Sequence, residues 1–223
     1  MMIVKLSKNR AAAIMQILCQ TYHYAQCELI YNSTFQLLIA VILSAQCTDK
    51  QVNLTTPKLF KYYPDAESLA KAPLDHVKQL IKSIGFFNVK AQNIINCAQL
   101  LREKYQGIVP HKFADLISLP GVGRKTANVV LGVAFKQRAW TVDTHLNRLA
   151  RRLGFSQNKD PYKIELDLSK LFKTQDWTFY SIVLIFHGRR ICKAQNPSCS
   201  ACPVNQFCPS FDQQKRQFKA LKS

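Results

Sequence analysis

The stretch Leu119-Pro120-Gly121-Val122-Gly123-Arg124-Lys125-Thr126-Ala127 leaves the chain few ways to fold. An apolar-periodic segment runs into Leu119-Pro120, and proline, with no N–H and a ring that clashes with the preceding turn, cannot continue a helix. Gly121 and Gly123 permit a tight reversal and close approach of another backbone. A helix-forming pattern then runs from Lys125 to Phe135, its first N–H groups unpaired and pointing outward. Two helices joined by such a hairpin present a ready seat for a phosphate. Arg124 and Lys125 lie in the first turn of that second helix, where the macrodipole disfavours cations. The same location lowers the pKa of a lysine, which is what a nucleophilic amine requires. From this stretch alone, a solvated lysine touching phosphate is the simpler account.

The remainder reads as helices separated by short Gly/Pro breaks, with no alternating strand pattern, so the fold class is all-α. A first amphipathic helix spans residues 9–25, with Ile14, Ile17 and Leu18 on one face. Ser33 or Thr34 caps a second helix that is apolar nearly all round, from Phe35 to Leu43. It ends in the polar cluster Ser44-Ala45-Gln46-Cys47-Thr48-Asp49, which is either a working surface or the cap of the next helix. Further helices are expected at Val52–Phe60, Asp65–Ala70, Leu74–Ile81, Lys90–Tyr105 and Phe113–Leu119, with Gly85-Phe86-Phe87-Asn88 as a loop. After Phe135, Asp143 or Thr144 caps a helix running to Leu153. Pro161 opens another through Leu171, and Thr178–Phe186 forms the last.

Thirty-one Lys and Arg against 13 Asp and Glu give a net charge of +18 over 223 residues, an excess that points to a polyanionic partner, most simply nucleic acid. The basic tail at Lys215, Arg216, Lys219 and Lys222 either lies on phosphates or is solvated. No apolar run approaches the roughly 20 residues needed to span a bilayer, and no secretion signal is read, so a reducing, cytoplasmic location is expected. Four disulfides are therefore not the expected use of the eight cysteines. Four of the eight fall within 17 residues as C-x6-C-x2-C-x5-C: Cys192, Cys199, Cys202 and Cys208. Such a set holds zinc or an iron–sulfur cluster. One close pair with longer arms, rather than two short knuckles, favours a cubane. Cys19, Cys27, Cys47 and Cys97 read as small buried hydrophobes.

Three segments together, LPGVGRKTAN at 119–128, VDTHLNRLARRLG at 142–154 and the cysteine set after His187-Gly188-Arg189, resemble the endonuclease III family of DNA glycosylases with abasic-site lyase activity. The resemblance reaches from the first helix to Cys208. It implies two helical domains flanking a DNA-binding cleft: a six-helix barrel at 27–137, and a cluster domain built from 1–26 and 138–223 with a [4Fe-4S] cofactor. The implied partner is double-stranded DNA carrying damaged bases or abasic sites, bound by a monomer and with no membrane association. By motif, Lys125 is the nucleophile and Asp143 its partner, and the family's cluster shapes a loop instead of catalysing.

Gln46 matches the residue that fills the gap left by a flipped nucleotide. Phe86 stands where the family usually has leucine as a second wedge, and Cys47 where threonine is usual. Gly121, Gly123, Arg124, His145, Arg189, Arg190 and Lys193 are the implied DNA contacts, with a hydrogen-bonded structural histidine as the alternative for His145. Two other readings compete. A monofunctional adenine glycosylase with the same cluster lacks a lysine at the position of Lys125 and carries a further C-terminal domain. A non-catalytic DNA-binding or electron-transfer iron–sulfur protein would fit the charge equally well.

Overall fold

The computed structural model describes residues 6–174 and 176–212, and all regular structure among them is helical. The basic tail positions Lys215, Arg216, Lys219 and Lys222 lie outside the described residues. The chain divides into two compact units, one formed by Cys27–Gln137 and the other by Met1–Gln26 with Arg138–Ser223.

The unit at 27–137 is built around α2 (Thr34–Leu43), in which every residue from Phe35 to Leu43 is buried. Ser33 caps it, its hydroxyl accepting the N–H of Gln36 at 3.2 Å. A helix apolar on all sides needs partners all round, and α2 packs against α3 (Asp49–Tyr62), α6 (Phe87–Tyr105) and α8 (Arg124–Val133). Each fully buried Leu or Ile in it contributes about 1.5–3 kcal/mol of transfer free energy. Around this axis, α4 (Ala66–Ala70) and α5 (Leu74–Leu80) lie on α6, and α7 (Phe113–Ile117) on α8.

Two boundaries in this unit differ from the sequence reading. α3 begins at Asp49 rather than Val52, because Thr48 caps it by accepting the Gln51 N–H at 3.2 Å, and it carries Pro57 in its interior. The polar cluster after α2 thus does serve as a cap. The expected loop at 85–88 is shorter, since Phe87 and Asn88 belong to α6. Phe86 starts that helix in a left-handed conformation, φ +58°, with no side-chain cap, a start that leaves no signature in the sequence.

The other unit gathers α1 (Lys8–Thr21), α9 (Thr144–Arg152), α10 (Pro161–Leu171) and α11 (Trp177–Arg190). α1 stops at Thr21, four residues before the expected end, and α11 runs on to Arg190 past the expected Phe186. Ile14 and Leu18 of α1 are buried with Trp140, Leu146, Leu149, Ile164, Val183 and Leu184, so the N-terminal helix shares a core with residues more than 100 positions away. Trp140 is fully buried and stacks on Trp177 at 5.9 Å between ring centres. Arg10 ties α1 to the far end of the chain, donating to the Phe207 carbonyl at 2.9 Å and pairing with Asp212 at 3.1 Å. Among the described residues no helix is long and apolar enough to cross a membrane.

Candidate active site and metal centre

The hairpin in the 27–137 unit separates its two glycines. Gly121 has φ +76°, and a Cβ there would meet Asn93 Cβ at 3.1 Å and Ile42 Cγ2 at 3.2 Å. It is glycine because the turn and the close approach of α2 and α6 leave no alternative. Gly123 is different: φ is −92°, a Cβ would touch nothing within 4 Å, and the residue is the N-cap of α8 with no side chain to satisfy the first N–H groups. Those amides open onto an uncrowded surface. Arg124 and Lys125 follow at the first two helical positions, both exposed, in a first turn without an acidic residue. Arg124 lies over the Phe113 ring at 4.8 Å, a cation–π contact that fixes its base to α7. Lys125 thus stands exposed on the helix start, while Ala127, Val130 and Leu131 of the same helix are buried.

Gln46 and Phe86 share the same unit and a conformation. Both are exposed, and both sit at positive φ, +52° and +58°. For non-glycine residues this region is uncommon and carries strain. Phe86 leaves 66 % of its surface to solvent. A Cβ at Gly85 would stand 3.9 Å from the Gln46 carbonyl oxygen, so the two turns run side by side.

In the other unit, Asp143 is the N-cap of α9: its Oδ1 accepts the Leu146 N–H at 2.8 Å. His145, half-buried on the first turn, meets Arg148 Nη2 through Nδ1 at 3.2 Å. A guanidinium only donates, so Nδ1 is the acceptor in this contact. His145 is therefore held from within the fold, and a Cβ on Gly188 would come within 3.1 Å of its Cβ. Arg189, Arg190 and Lys193 are exposed at and beyond the end of α11, Arg190 resting on the Phe186 ring at 4.0 Å.

None of the eight cysteines is in a disulfide. Of the scattered four, Cys97 alone is buried, with its thiol pushed up to about 12 by burial. Cys19, Cys27 and Cys47 are half-buried, which corrects the reading of all four as core residues. Isolated cysteines carry no periodic pattern from which burial can be read.

Cys192, Cys199, Cys202 and Cys208 lie within one another's electrostatic reach. Burial, then Cys208, Cys192 and Cys199, push Cys202 up to about 11. Burial and neighbouring thiols also raise Cys199 and Cys208. Left alone, these three thiols resist ionisation, whereas a cationic centre among them reverses that logic. Donors already surround the sulfurs: Arg152 Nη1 stands 3.4 Å from Cys192 Sγ, and backbone N–H groups of Val204, Ser210 and Phe211 point at Cys202 or Cys208. Four cysteine sulfurs with N–H donors around them are the ligand chemistry of an iron–sulfur cluster.

Sequence reasoning passed over two arginines that shape this region. Arg148 donates to the carbonyls of Gly188 (2.9 Å) and Cys192 (3.0 Å), and Arg152 to those of Lys193 (2.6 Å) and Ala194 (2.9 Å). Their i, i+4 spacing on α9 was the available signal, since it puts two cations on one helix face.

Comparison with known proteins agrees with this chemistry. Residues 39–174 match the model of the HhH-GPD superfamily base excision DNA repair protein, and residues 192–208 match the iron–sulfur binding domain of endonuclease III. The chain is 48 % identical to endonuclease III of Synechocystis over 91 % of its length and 93 % of that protein. It is 44 % identical to endonuclease III of Bacillus subtilis over 90 % of its length and 91 % of that protein. Among solved structures, a non-covalent endonuclease III–DNA complex superposes with a TM-score of 0.90 at 40 % identity, covering 95 % of this chain and 99 % of the other. A trapped endonuclease III–DNA covalent intermediate matches equally well, with a TM-score of 0.90. The cofactor that goes with the matched iron–sulfur segment is a [4Fe-4S] cluster. With the family model spanning most of the chain and relatives this similar along nearly all of it, the chain belongs to the HhH-GPD superfamily of base excision DNA repair proteins, and within it to the endonuclease III family.

Proposed function

We propose that the protein is a bifunctional DNA glycosylase and abasic-site lyase of base excision repair, acting on oxidised pyrimidines in double-stranded DNA. The observation that carries this reading is Lys125, exposed at the second position of α8 where no acidic residue shares the first turn. The exposed amine at this helix start is open to a sugar carbon presented beside the phosphates that the unpaired N–H groups of the same turn bind.

The neutral Lys125 amine attacks the sugar C1′. The glycosidic bond breaks and the base leaves with the bonding pair. The nitrogen then loses a proton, the C1′–O4′ bond opens as the ring oxygen takes that proton up, and C1′ is left joined to Lys125 as a protonated Schiff base. The imine acidifies the C2′ proton, and its removal expels the 3′ phosphate by β-elimination, which cuts the strand. Asp143 assists by accepting the amine's proton and by countering the positive charge that grows on the sugar. Its Oδ1 is engaged in capping α9, which fixes the carboxylate, and the second oxygen is available for this role. Gln46 and Phe86 enter the duplex beside the extruded nucleotide. The amides after Gly121 and Gly123, with Arg124, grip the backbone on one side of the lesion. Arg189, Arg190 and Lys193 bind backbone phosphates, with His145 beside them. Cys192, Cys199, Cys202 and Cys208 would hold the cluster, whose positive charge would favour the thiolate forms, and Lys193 follows the first of these ligands. The enzyme acts as a monomer.

The test is a set of duplexes each carrying one lesion. With an oxidised pyrimidine, base release and a cut 3′ to the lesion are expected at matched yields. Release of adenine opposite an oxidised guanine, without strand cleavage, would instead support the monofunctional reading.

A further inference from the structure

Lys90 is 6 % exposed, sits in the N-terminal part of α6, and makes no ion pair among the described residues. Both facts are unfavourable. A cation near a helix N-terminus opposes the dipole, and a buried ammonium without a counter-charge bears a desolvation penalty that a Met or Leu would avoid. Burial accordingly holds the Lys90 amine below the ordinary lysine range, opposed by the neighbouring Cys47. A core selected only for stability would not place a lysine here, so its contacts need an explanation.

Those contacts are specific. Nζ donates to the Leu43 carbonyl at 2.9 Å and to the Ala45 carbonyl at 2.6 Å. Leu43 is the last residue of α2, where orphan carbonyls and the negative dipole end welcome a cation. Ala45 immediately precedes Gln46, the residue at φ +52°. On its own backbone, Lys90 donates its N–H to the Phe86 carbonyl at 3.1 Å, and Phe86 is the residue at φ +58°. One residue thus grips both exposed, left-handed turns, one through its side chain and one through its main chain. Gln46 and Phe86 lie 40 positions apart in sequence, and Lys90 bonds to the backbone next to the one and of the other.

We propose that Lys90 is the positioning residue that sets the spacing of Gln46 and Phe86, so that both enter the duplex together. This rests on the reading of Gln46 and Phe86 as the inserting pair. Losing the two Nζ bonds would free the turn at 44–47 from α6, leaving Gln46 to relax from its strained backbone.

The test measures single-turnover excision of an oxidised pyrimidine from duplex DNA, together with cleavage of an abasic site in single-stranded DNA, where no stack has to be opened. In Lys90→Met, duplex excision should fall at least tenfold while single-strand cleavage stays within twofold of the parent. In a Gln46→Ala/Phe86→Ala background, adding Lys90→Met should change duplex excision less than twofold, because there is no longer a pair to align. Equal loss on both substrates would make Lys90 a general stability element and overturn the proposal. So would a full tenfold loss in the double-alanine background, or undiminished duplex excision by Lys90→Met while the double-alanine protein is impaired. Parental duplex excision by the double-alanine protein would instead remove the inserting pair itself, and the proposal with it.

Discussion

Asp143 Oδ1 accepts the backbone N–H of Leu146 at 2.8 Å, so the acid proposed for catalysis is also the cap of α9. From the sequence, a capping aspartate and a catalytic one read as alternatives. In the structure they are compatible, because a carboxylate has two oxygens and the cap uses one. The two roles separate by substitution. Asn caps as well as Asp, so Asp143→Asn should keep thermal stability within about 0.5 kcal/mol while excision falls roughly 100-fold or more, the scale of a lost acid–base group. Asp143→Ala should show the same loss of activity and a further destabilisation of about 1 kcal/mol. Chemical denaturation beside single-turnover kinetics reads both, and full activity in Asp143→Asn would confine this residue to capping.

The two hairpin glycines should respond in opposite ways. Gly121→Ala forces a Cβ into Asn93 and Ile42 at φ +76° and should destabilise the protein by roughly 1–3 kcal/mol. Gly123→Ala meets no neighbour within 4 Å and should cost less than about 1 kcal/mol, yet weaken DNA binding by placing a methyl group on the surface where phosphate docks. Denaturation curves and binding titrations on both variants separate the effects. Unchanged DNA affinity in Gly123→Ala would remove the phosphate contact from that turn.

Purified protein should be brown and contain about four irons per chain, as expected for a cubane on four thiolates. Cys202→Ser should lower iron content and weaken the fold, since the 199–212 segment packs back on α9 through Ser210 and Cys208, which both reach the Arg152 carbonyl. Stoichiometric zinc without iron would contradict the assignment.

Affinity for undamaged duplex should fall roughly 100-fold or more between 50 and 200 mM salt, through release of counterions as lysines and arginines neutralise phosphates. The net charge of +18 motivates this. A flat salt response would show that the positive charge serves another purpose.

What the sequence disclosed and what it withheld follow from the range of the interactions. Ser33, Thr48 and Asp143 are legible because a cap acts on residues two or three positions away. The hairpin and the cysteine set are legible because their chemistry depends on close spacing. The start of α6 was misplaced because Phe86 begins it by backbone conformation alone. Lys90 read as an ordinary helical lysine, since the carbonyls it binds are 45 and 47 positions away. The grip of Arg148 and Arg152 on residues 188–194 is similarly remote in sequence. Their side chains are unremarkable until the fold brings them to their partners.

The central claim is that Lys125 bonds covalently to the sugar. Incubation with abasic-site duplex and borohydride should reduce the Schiff base and leave a stable protein–DNA adduct, readable as a shifted band on a denaturing gel. Lys125→Gln should give no adduct while still binding the same duplex, and peptide mapping of the wild-type adduct should place the sugar on Lys125. An adduct of wild-type yield in Lys125→Gln would contradict the account.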